Sequence, residues 1–256
     1  MADLQGKVVI VTGASNGMGL SVASTLLSQG TFVFGIDIAT APPSLLGNSS
    51  YEHYQSDLTQ LSSPINAIKA CQTAFGARID VLINVAGIVD HYGSVDTLTD
   101  DIWDRVIAVD LTAPVRLMRE VVNVMLKQEE KGGERGAILN VSSRAGMSGA
   151  TAGVAYTSAK HGLIGATKQV AFRFRTEKIR CNAVAPGGVA TNMTLDLKKM
   201  DRHAMPAIDA VRMAGQAHDA MNTPEEVASL IMYLVSGASK GVNGAIVPID
   251  NGWSTI

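Results

Sequence analysis

Apolar runs of strand length alternate along this chain with longer stretches whose apolar residues recur at helical spacing. No other feature restricts the possible folds as much. The first run, Val8–Thr12, is β-branched and ends at Gly13. Residues 19–29 follow, with Leu20, Ala23, Leu26 and Leu27 at helical spacing. Further strands are expected at 31–37, Tyr51–Gln55, 79–84, 137–141, 179–184 and 245–249, and further helices at Ser63–Phe75, 100–127, 153–177 and 225–235. The last helix is opened by Thr223 as N-cap and Pro224 in the first turn. Strands with few polar residues, each followed by a helix, must be covered on both faces. The expected fold class is therefore α/β, a doubly wound parallel sheet of about seven strands with helices on both faces. No linker, repeat or low-complexity stretch interrupts the 256 residues, so residues 1–256 are expected to form one domain. The least regular stretch, 191–222, follows a strand. It is the expected substrate lid, because ligands of open α/β sheets bind at the carboxyl ends of the strands.

Composition narrows the function classes. A chain of this length can bury about 75% of its unfolded surface. Its 46% hydrophobic and 17% charged residues suit a globular protein. A net charge of −2 supplies no general attraction to nucleic acid or to an anionic membrane. The two cysteines, Cys71 and Cys181, stand in no CxxC and near no histidine cluster, so neither a disulfide framework nor a metal site is expected. The first residues lack a cationic region followed by an apolar run, and no apolar stretch reaches the roughly 20 residues of a membrane span. A soluble, cytoplasmic protein is the expectation.

The turn between the first strand and helix reads Thr12-Gly13-Ala14-Ser15-Asn16-Gly17-Met18-Gly19. Glycines let the backbone turn tightly and approach a pyrophosphate, to which the helix N-terminus presents free N–H groups and a positive dipole end. The spacing differs from GxGxxG and resembles the TGxxxGxG of the short-chain dehydrogenase/reductase superfamily. The resemblance covers nearly the whole chain and implies a Rossmann-type domain that holds a nicotinamide cofactor with Gly13, Ser15, Asn16, Gly17, Met18 and Gly19. Asp37 closes the second strand, about twenty residues beyond the turn, where a carboxylate accepts hydrogen bonds from the adenosine ribose. A 2′-phosphate ~5 Å from it, at an effective dielectric of ~20, would cost on the order of 5 kcal/mol before screening. Neither Asn16 nor Ile38 can neutralise such a phosphate, so the expected cofactor is NAD. The resemblance places Asp57 and Leu58 at the adenine, although a lone Asp also opens ordinary turns. Asn84-Val85-Ala86-Gly87 resembles the family's NNAG signature, with Val for the second Asn. Asn84, Ala86 and Gly87 would run beside the ribose, and Asn84 could equally serve to tie strands together.

Tyr156 and Lys160 are four apart in Tyr-Thr-Ser-Ala-Lys, which puts both on one face of a helix. A nearby ammonium favours phenolate and should lower the tyrosine from its ordinary ~10. The pair is thus a plausible acid/base unit. Ser143, thirteen residues before Tyr156, has the spacing of the family's catalytic serine, whose hydroxyl meets the substrate oxygen. Ser142 is expected to bond to backbone instead. The family's fourth catalytic residue is usually Asn in a Val-Asn-Leu context. Here the text is Val109-Asp110-Leu111, and Asp110 offers acceptors but no amide donors. It stands as a tolerated substitute or as a proton relay. Pro186, Gly187, Val189 and Thr191 resemble the segment that grips the nicotinamide end.

Met147 and Met193 are expected to line the substrate pocket with Ser143 and Tyr156. Met193 belongs to a run with Met200, Met205, Met213 and Met221 that suits either core or a lid. His91 and Tyr92 could face the same pocket, and Arg144 is the main candidate for an anionic substrate group. The resulting expectation is an NAD-dependent oxidoreductase interconverting a secondary alcohol and a ketone, on a lipophilic cyclic substrate of terpenoid or steroid-like kind. Two other readings are a 3-oxoacyl thioester reductase, which Asp37 disfavours, and a catalytically impaired nucleotide-binding scaffold, which only Asp110 supports. Relatives pair the helices equivalent to 100–127 and 153–177 across a two-fold axis, so a homotetramer or homodimer is expected.

Overall fold

A computed structural model describes residues 4–191, 200–206, 209 and 221–255. Seven strands form one parallel sheet: β1 (Val8–Thr12), β2 (Phe32–Asp37), β3 (Tyr51–Gln55), β4 (Val81–Asn84), β5 (Gly136–Val141), β6 (Ile179–Pro186) and β7 (Ile246–Ile249). Their spatial order is β3-β2-β1-β4-β5-β6-β7. Chain order runs outward in opposite directions from β1, so the connections leaving β1 and β4 diverge. The crevice between them, at the carboxyl edge, is the switch point where such sheets bind ligands. Pro248, which cannot donate to a ladder, falls on the edge strand β7.

In the central strands β1, β4, β5 and β6 every side chain is buried, on both faces of the sheet, whereas the edge strands β3 and β7 are partly exposed. Val9 and Val11 pack with Val22, Leu26, Val227 and Ile231 of α1 (Gly17–Ser28) and α6 (Pro224–Val235). Val8 and Ile10 meet Ala67, Leu117, Val121 and Leu163 of α2 (Ser63–Phe75), α4 (Ala113–Met125) and α5 (Val154–Arg173). Cys71 and Cys181 are both free and buried. Burial pushes the Cys71 thiol up to about 12, so it behaves as a small apolar residue. Among the described residues no helix is long and apolar enough to cross a membrane.

One expected element is not continuous. Residues 100–127 divide into α3 (Asp100–Ile107), a π-helical turn (Ala108–Thr112) and α4. Pro114 accounts for the break. It has no N–H to give the Asp110 carbonyl, and its ring crowds that carbonyl. The Ala113 N–H reaches back to Ala108 O instead, which is the wider π-helical step. The proline falls inside an otherwise regular apolar phase, so periodicity alone runs straight through it. The helix expected at 153–177 is α5, which ends at Arg173. Most of the lid expected at 191–222, including Met193 and Met213, lies outside the described residues.

Candidate active site

The β1–α1 turn builds one end of the site. Gly13 takes φ +70°, and a Cβ there would stand 3.0 Å from the backbone of Ala86. A Cβ on Gly19 would overlap the carbonyl oxygen of Gly13. The turn can therefore close only with glycine at both positions. The Thr12 hydroxyl accepts hydrogen bonds from the N–H groups of Val85 and Ala86, both at 3.0 Å, and so pins the end of β4 to the end of β1. Asn16, the N-cap of α1, makes no side-chain capping bond. The first N–H groups of the helix are left to point into the cleft, the arrangement that suits a pyrophosphate.

That cleft has a volume of about 820 Å³. It brings together Gly13, Asn16, Gly17, Met18, Gly19, Asp37, Asp57, Leu58, Asn84, Ala86, Gly87 and Thr191. Ser15 is turned away: its N–H donates to Asp37 Oδ2 at 2.9 Å and its hydroxyl to Thr40 O at 2.8 Å. Asp37 Oδ1 also accepts the Ala39 N–H, at 2.9 Å. Two backbone donors thus orient this carboxylate while leaving lone pairs on both oxygens for a ribose. Asp57 Oδ1 accepts both the N–H and the hydroxyl of Thr59, and these bonds, with Arg105 nearby, hold its carboxyl below the usual range. Arg105, Val109 and Pro114 also line the cleft, which the sequence did not signal. Asn84 ties into the scaffold through its amide nitrogen, while its Oδ1 has no hydrogen-bond partner. Its Nδ2 donates to Asn140 Oδ1 at 2.8 Å, and Asn140 Nδ2 donates to Thr167 Oγ1 at 2.9 Å, which joins β4, β5 and α5.

At the other end α5 presents Tyr156 and Lys160. Lys160 is buried; its Nζ donates to Val141 O at 3.2 Å and stands 5.3 Å from the centre of the Tyr156 ring. Ser143 follows β5. Its Oγ accepts the Ala145 N–H at 3.1 Å, so the hydroxyl proton remains to be donated, and the serine hydroxyl favours the ionised form of Tyr156. Ser142 instead donates to Lys160 O at 3.2 Å and anchors the helix. Asp110, fully buried in the π-helical turn, accepts the Ile88 N–H at 2.9 Å through Oδ1. Its Oδ2 has no hydrogen-bond partner. A Cβ on Gly87 would lie 3.1 Å from Asp110 Oδ1 and 3.3 Å from Lys160 Nζ, so the two groups close in on the bare backbone of Gly87.

Charge balance here corrects one expectation. Burial pushes Asp110 up to about 6, against the pull of Lys160 and the Ile88 N–H. Burial pulls Lys160 down, but Asp110 and then Tyr156 outweigh it and leave the amine above its ordinary value. Burial raises Tyr156, Lys160 lowers it, and Asp110, followed by Asp90, raises it again. The phenol therefore lies above its ordinary value, not below it. An i,i+4 reading counts only the ammonium, whereas the folded site adds desolvation and two carboxylates.

Asp90 is a residue that sequence reasoning missed. It is buried in the loop after β4 and bonds to the first turn of α5. Pro186 ends β6, Gly187 N donates to Ile249 O at 3.0 Å, and Val189 pairs with Asn222 in an isolated parallel bridge. Arg144 is stacked 4.2 Å over the Trp253 ring, with Nε and Nη1 buried and unpartnered. Met147 is exposed just beyond Ser143, whereas Met193 lies outside the described residues.

The comparisons with known proteins give the family and the fold. The short chain dehydrogenase family model matches residues 7–202. A short-chain dehydrogenase/reductase, cdmF, of Talaromyces verruculosus is 49% identical over 100% of both chains. Asnovolin H dehydrogenase, nvfC, of Aspergillus novofumigatus is 45% identical, again over 100% of both. Among solved structures, the aldohexose dehydrogenase of Thermoplasma acidophilum superposes with a TM-score of 0.81 at 28% identity, over 100% of this chain and 96% of the other. A 4-hydroxyisoleucine dehydrogenase complexed with NADH also gives 0.81 at 28% identity, over 98% and 100%.

Proposed function

The chain belongs to the short-chain dehydrogenase/reductase family, whose members are oxidoreductases that use a nicotinamide cofactor. On that premise we propose that it is an NAD-dependent dehydrogenase that interconverts a secondary alcohol and a ketone on a lipophilic cyclic substrate of terpenoid or steroid-like kind. The observation that carries this reading is the convergence of Ser143, Tyr156 and Lys160 beside Gly87, a lining residue of the cleft that also holds Asp37. The glycine contacts and uncapped α1 terminus fit a dinucleotide, and Asp37 fits NAD rather than NADP. When bound, NAD supplies the hydride chemistry. Gly13, Asn16, Gly17, Met18 and Gly19 would hold its pyrophosphate side, Asp37, Asp57 and Leu58 its adenosine. Ala86, Gly87, Pro186, Gly187, Val189 and Thr191 would position the nicotinamide side.

The remaining work belongs to the side chains. Tyr156 takes the hydroxyl proton in oxidation and returns it in reduction. Ser143 donates to the substrate oxygen as charge develops there. Lys160 stabilises the phenolate. Asp110 holds the Ile88 backbone and faces Lys160, so it stands on the route by which the proton leaves. The substrate would enter beside Met147. One relative carries the name asnovolin H dehydrogenase, which favours dehydrogenation of a small organic molecule as the activity to test first.

We extend the proposal to one domain over 1–256, a cytoplasmic location and a homotetramer or homodimer. An apolar groove of about 430 Å³ between α4 and α5, lined by Val115, Met118, Val122, Leu126, Ala166 and Phe174, supports the assembly. Light scattering should give a multiple of 26.8 kDa, and a stable particle at that mass would overturn it. The function itself is tested by following NAD⁺ reduction with a panel of cyclic secondary alcohols. Turnover with at least one, abolished by Tyr156→Phe, is expected. Turnover only with NADP⁺, or only with an acyl thioester, would replace this reading.

A further inference from the structure

The helix that carries Tyr156 and Lys160 does not cap itself. Its N-cap is Gly153, which has no side chain to offer the free N–H groups of the first turn. The loop after β4 supplies the acceptors. Asp90 Oδ1 accepts the Gly153 N–H at 2.9 Å and the Tyr92 N–H at 3.3 Å, and Asp90 Oδ2 accepts the Tyr156 N–H at 2.9 Å. Gly93 O accepts the Val154 N–H at 3.0 Å. Asp90 is 2% exposed, and a Cβ on Gly153 would lie 2.5 Å from its Oδ2. The glycine thus makes room for the carboxylate, and the carboxylate grips the backbone of Tyr156 itself.

We infer that Asp90 is a positioning residue that fixes Tyr156 against the cofactor cleft, holding its backbone by hydrogen bond and placing a negative charge at the mouth of α5. The inference rests on the proposed acid/base role of Tyr156. Three observations support it. The loop 90–93 continues directly from Val85, Ala86, Gly87 and Ile88, which line the cleft, so it ties the cofactor wall to the acid/base helix. An anion at a helix N-terminus is favourable, and here it meets a 20-residue helix. Finally, the groups facing Tyr156 are Ser143, Lys160, Asp110 and Asp90, and the negative charge of Asp90 disfavours the phenolate. The carboxylate therefore acts on both the place and the titration of the phenol.

The test uses Asp90→Asn and Gly153→Ala in the full-length protein. Asparagine removes the charge and turns a donor towards one of the N–H groups. Alanine keeps the charge but pushes the carboxylate off the helix. Displacement of a reacting group by an ångström costs about 10²-fold in rate, so both variants should lose turnover on that order while the KM for NAD⁺ stays near wild type. Tyr156 ionisation, read as phenolate absorbance after subtracting the matching Tyr156→Phe protein, should move to lower pH in Asp90→Asn and move less in Gly153→Ala. Near wild-type turnover with an unmoved titration overturns the inference. So does a lower melting temperature with turnover per folded molecule and titration unchanged, or loss of folding in both variants, since each assigns Asp90 to stability alone. If the wild type turns over no secondary alcohol, the functional reading has failed, and the phenolate titration, which needs no substrate, still decides the role of Asp90.

Discussion

The two ends of the cleft are built by different means. At the cofactor end the parts are near neighbours in the chain: a glycine turn, the helix it opens and the carboxylate closing the next strand. They act mostly through backbone, and their side chains are held by backbone donors, as Ser15 N and Ala39 N hold Asp37. At the chemical end Asp90, Asp110, Ser143, Tyr156 and Lys160 arrive from a loop, a π-helical turn, a strand end and a helix. There the behaviour of each group is set by its neighbours: the phenol is raised although an ammonium stands 5.3 Å from its ring. Substitutions at the first end should therefore act locally and leave the acid/base group alone. Substitutions at the second should move several groups at once.

The largest expected effect falls at the chemical end. Tyr156→Phe keeps the ring but removes the transferable proton, so turnover should fall at least ~10²-fold while fluorescence titration shows NADH binding retained. Near wild-type turnover with a saturating alcohol would mean that another group handles the proton. Lys160→Ala should damage both turnover and binding, because Lys160 and Tyr156 are also expected among the cofactor-binding residues, the ammonium reaching the ribose hydroxyls as well as the phenolate.

Gly19→Ala tests the opposite end. The new methyl overlaps the Gly13 carbonyl, and strain of about 1–3 kcal/mol should weaken NADH binding by about tenfold or more. The pH at which Tyr156 ionises should stay where it was; a shift would show that the two ends are not separable.

Asp37→Ala comes next. A hydrogen bond to a charged group contributes about 1.5–3 kcal/mol, so the preference for NAD over NADP, expected to be at least about tenfold, should relax. Most of the change should come from better use of NADP. Equal efficiency with both cofactors in the wild type would remove the argument from Asp37 altogether.

The smallest effect on rate, and the sharpest on pH, is expected of Asp110→Asn. The amide oxygen can still accept the Ile88 N–H, so turnover should stay within about tenfold of wild type. Removing a negative charge that raises Tyr156 should move the alkaline limb of alcohol oxidation to lower pH. Stability should change too. The folded protein holds the Asp110 proton up to about pH 6, the unfolded chain only to about 4, so wild type loses stability as pH rises through that window. Relative to wild type, the variant should gain stability as pH rises from 4 to neutrality, readable as a melting-temperature difference that grows with pH. A large loss of rate instead would make Asp110 a specialised proton relay.

The sheet, most helices and the cofactor turn were legible from residues alone because their signals are periodic or contiguous. Val8–Thr12, Tyr51–Gln55 and Ser63–Phe75 carry their period within a dozen or so residues. The glycine spacing and the Tyr156–Lys160 step need only local geometry. The stretch 100–127 defeated the same method because one proline changes the hydrogen-bond register without changing the apolar phase.

What the sequence determined by itself, then, is the fold class, which follows from periodicity along a chain of known pitch, and the family, which its motifs resemble; it also marked the glycine turn and the Tyr156–Lys160 step that we propose as cofactor turn and acid/base pair. Only the tertiary structure decided that the backbone partner of Ser142 is the Lys160 carbonyl, so that this serine anchors α5. It alone brought Asp110 and Lys160 together over Gly87, and it alone put Asp90, far from Tyr156 in the chain, on the tyrosine's own N–H. The physical reason is that desolvation, Coulomb interaction and tertiary hydrogen bonding depend on distance through space and on exclusion of water, and neither quantity exists until the chain is folded.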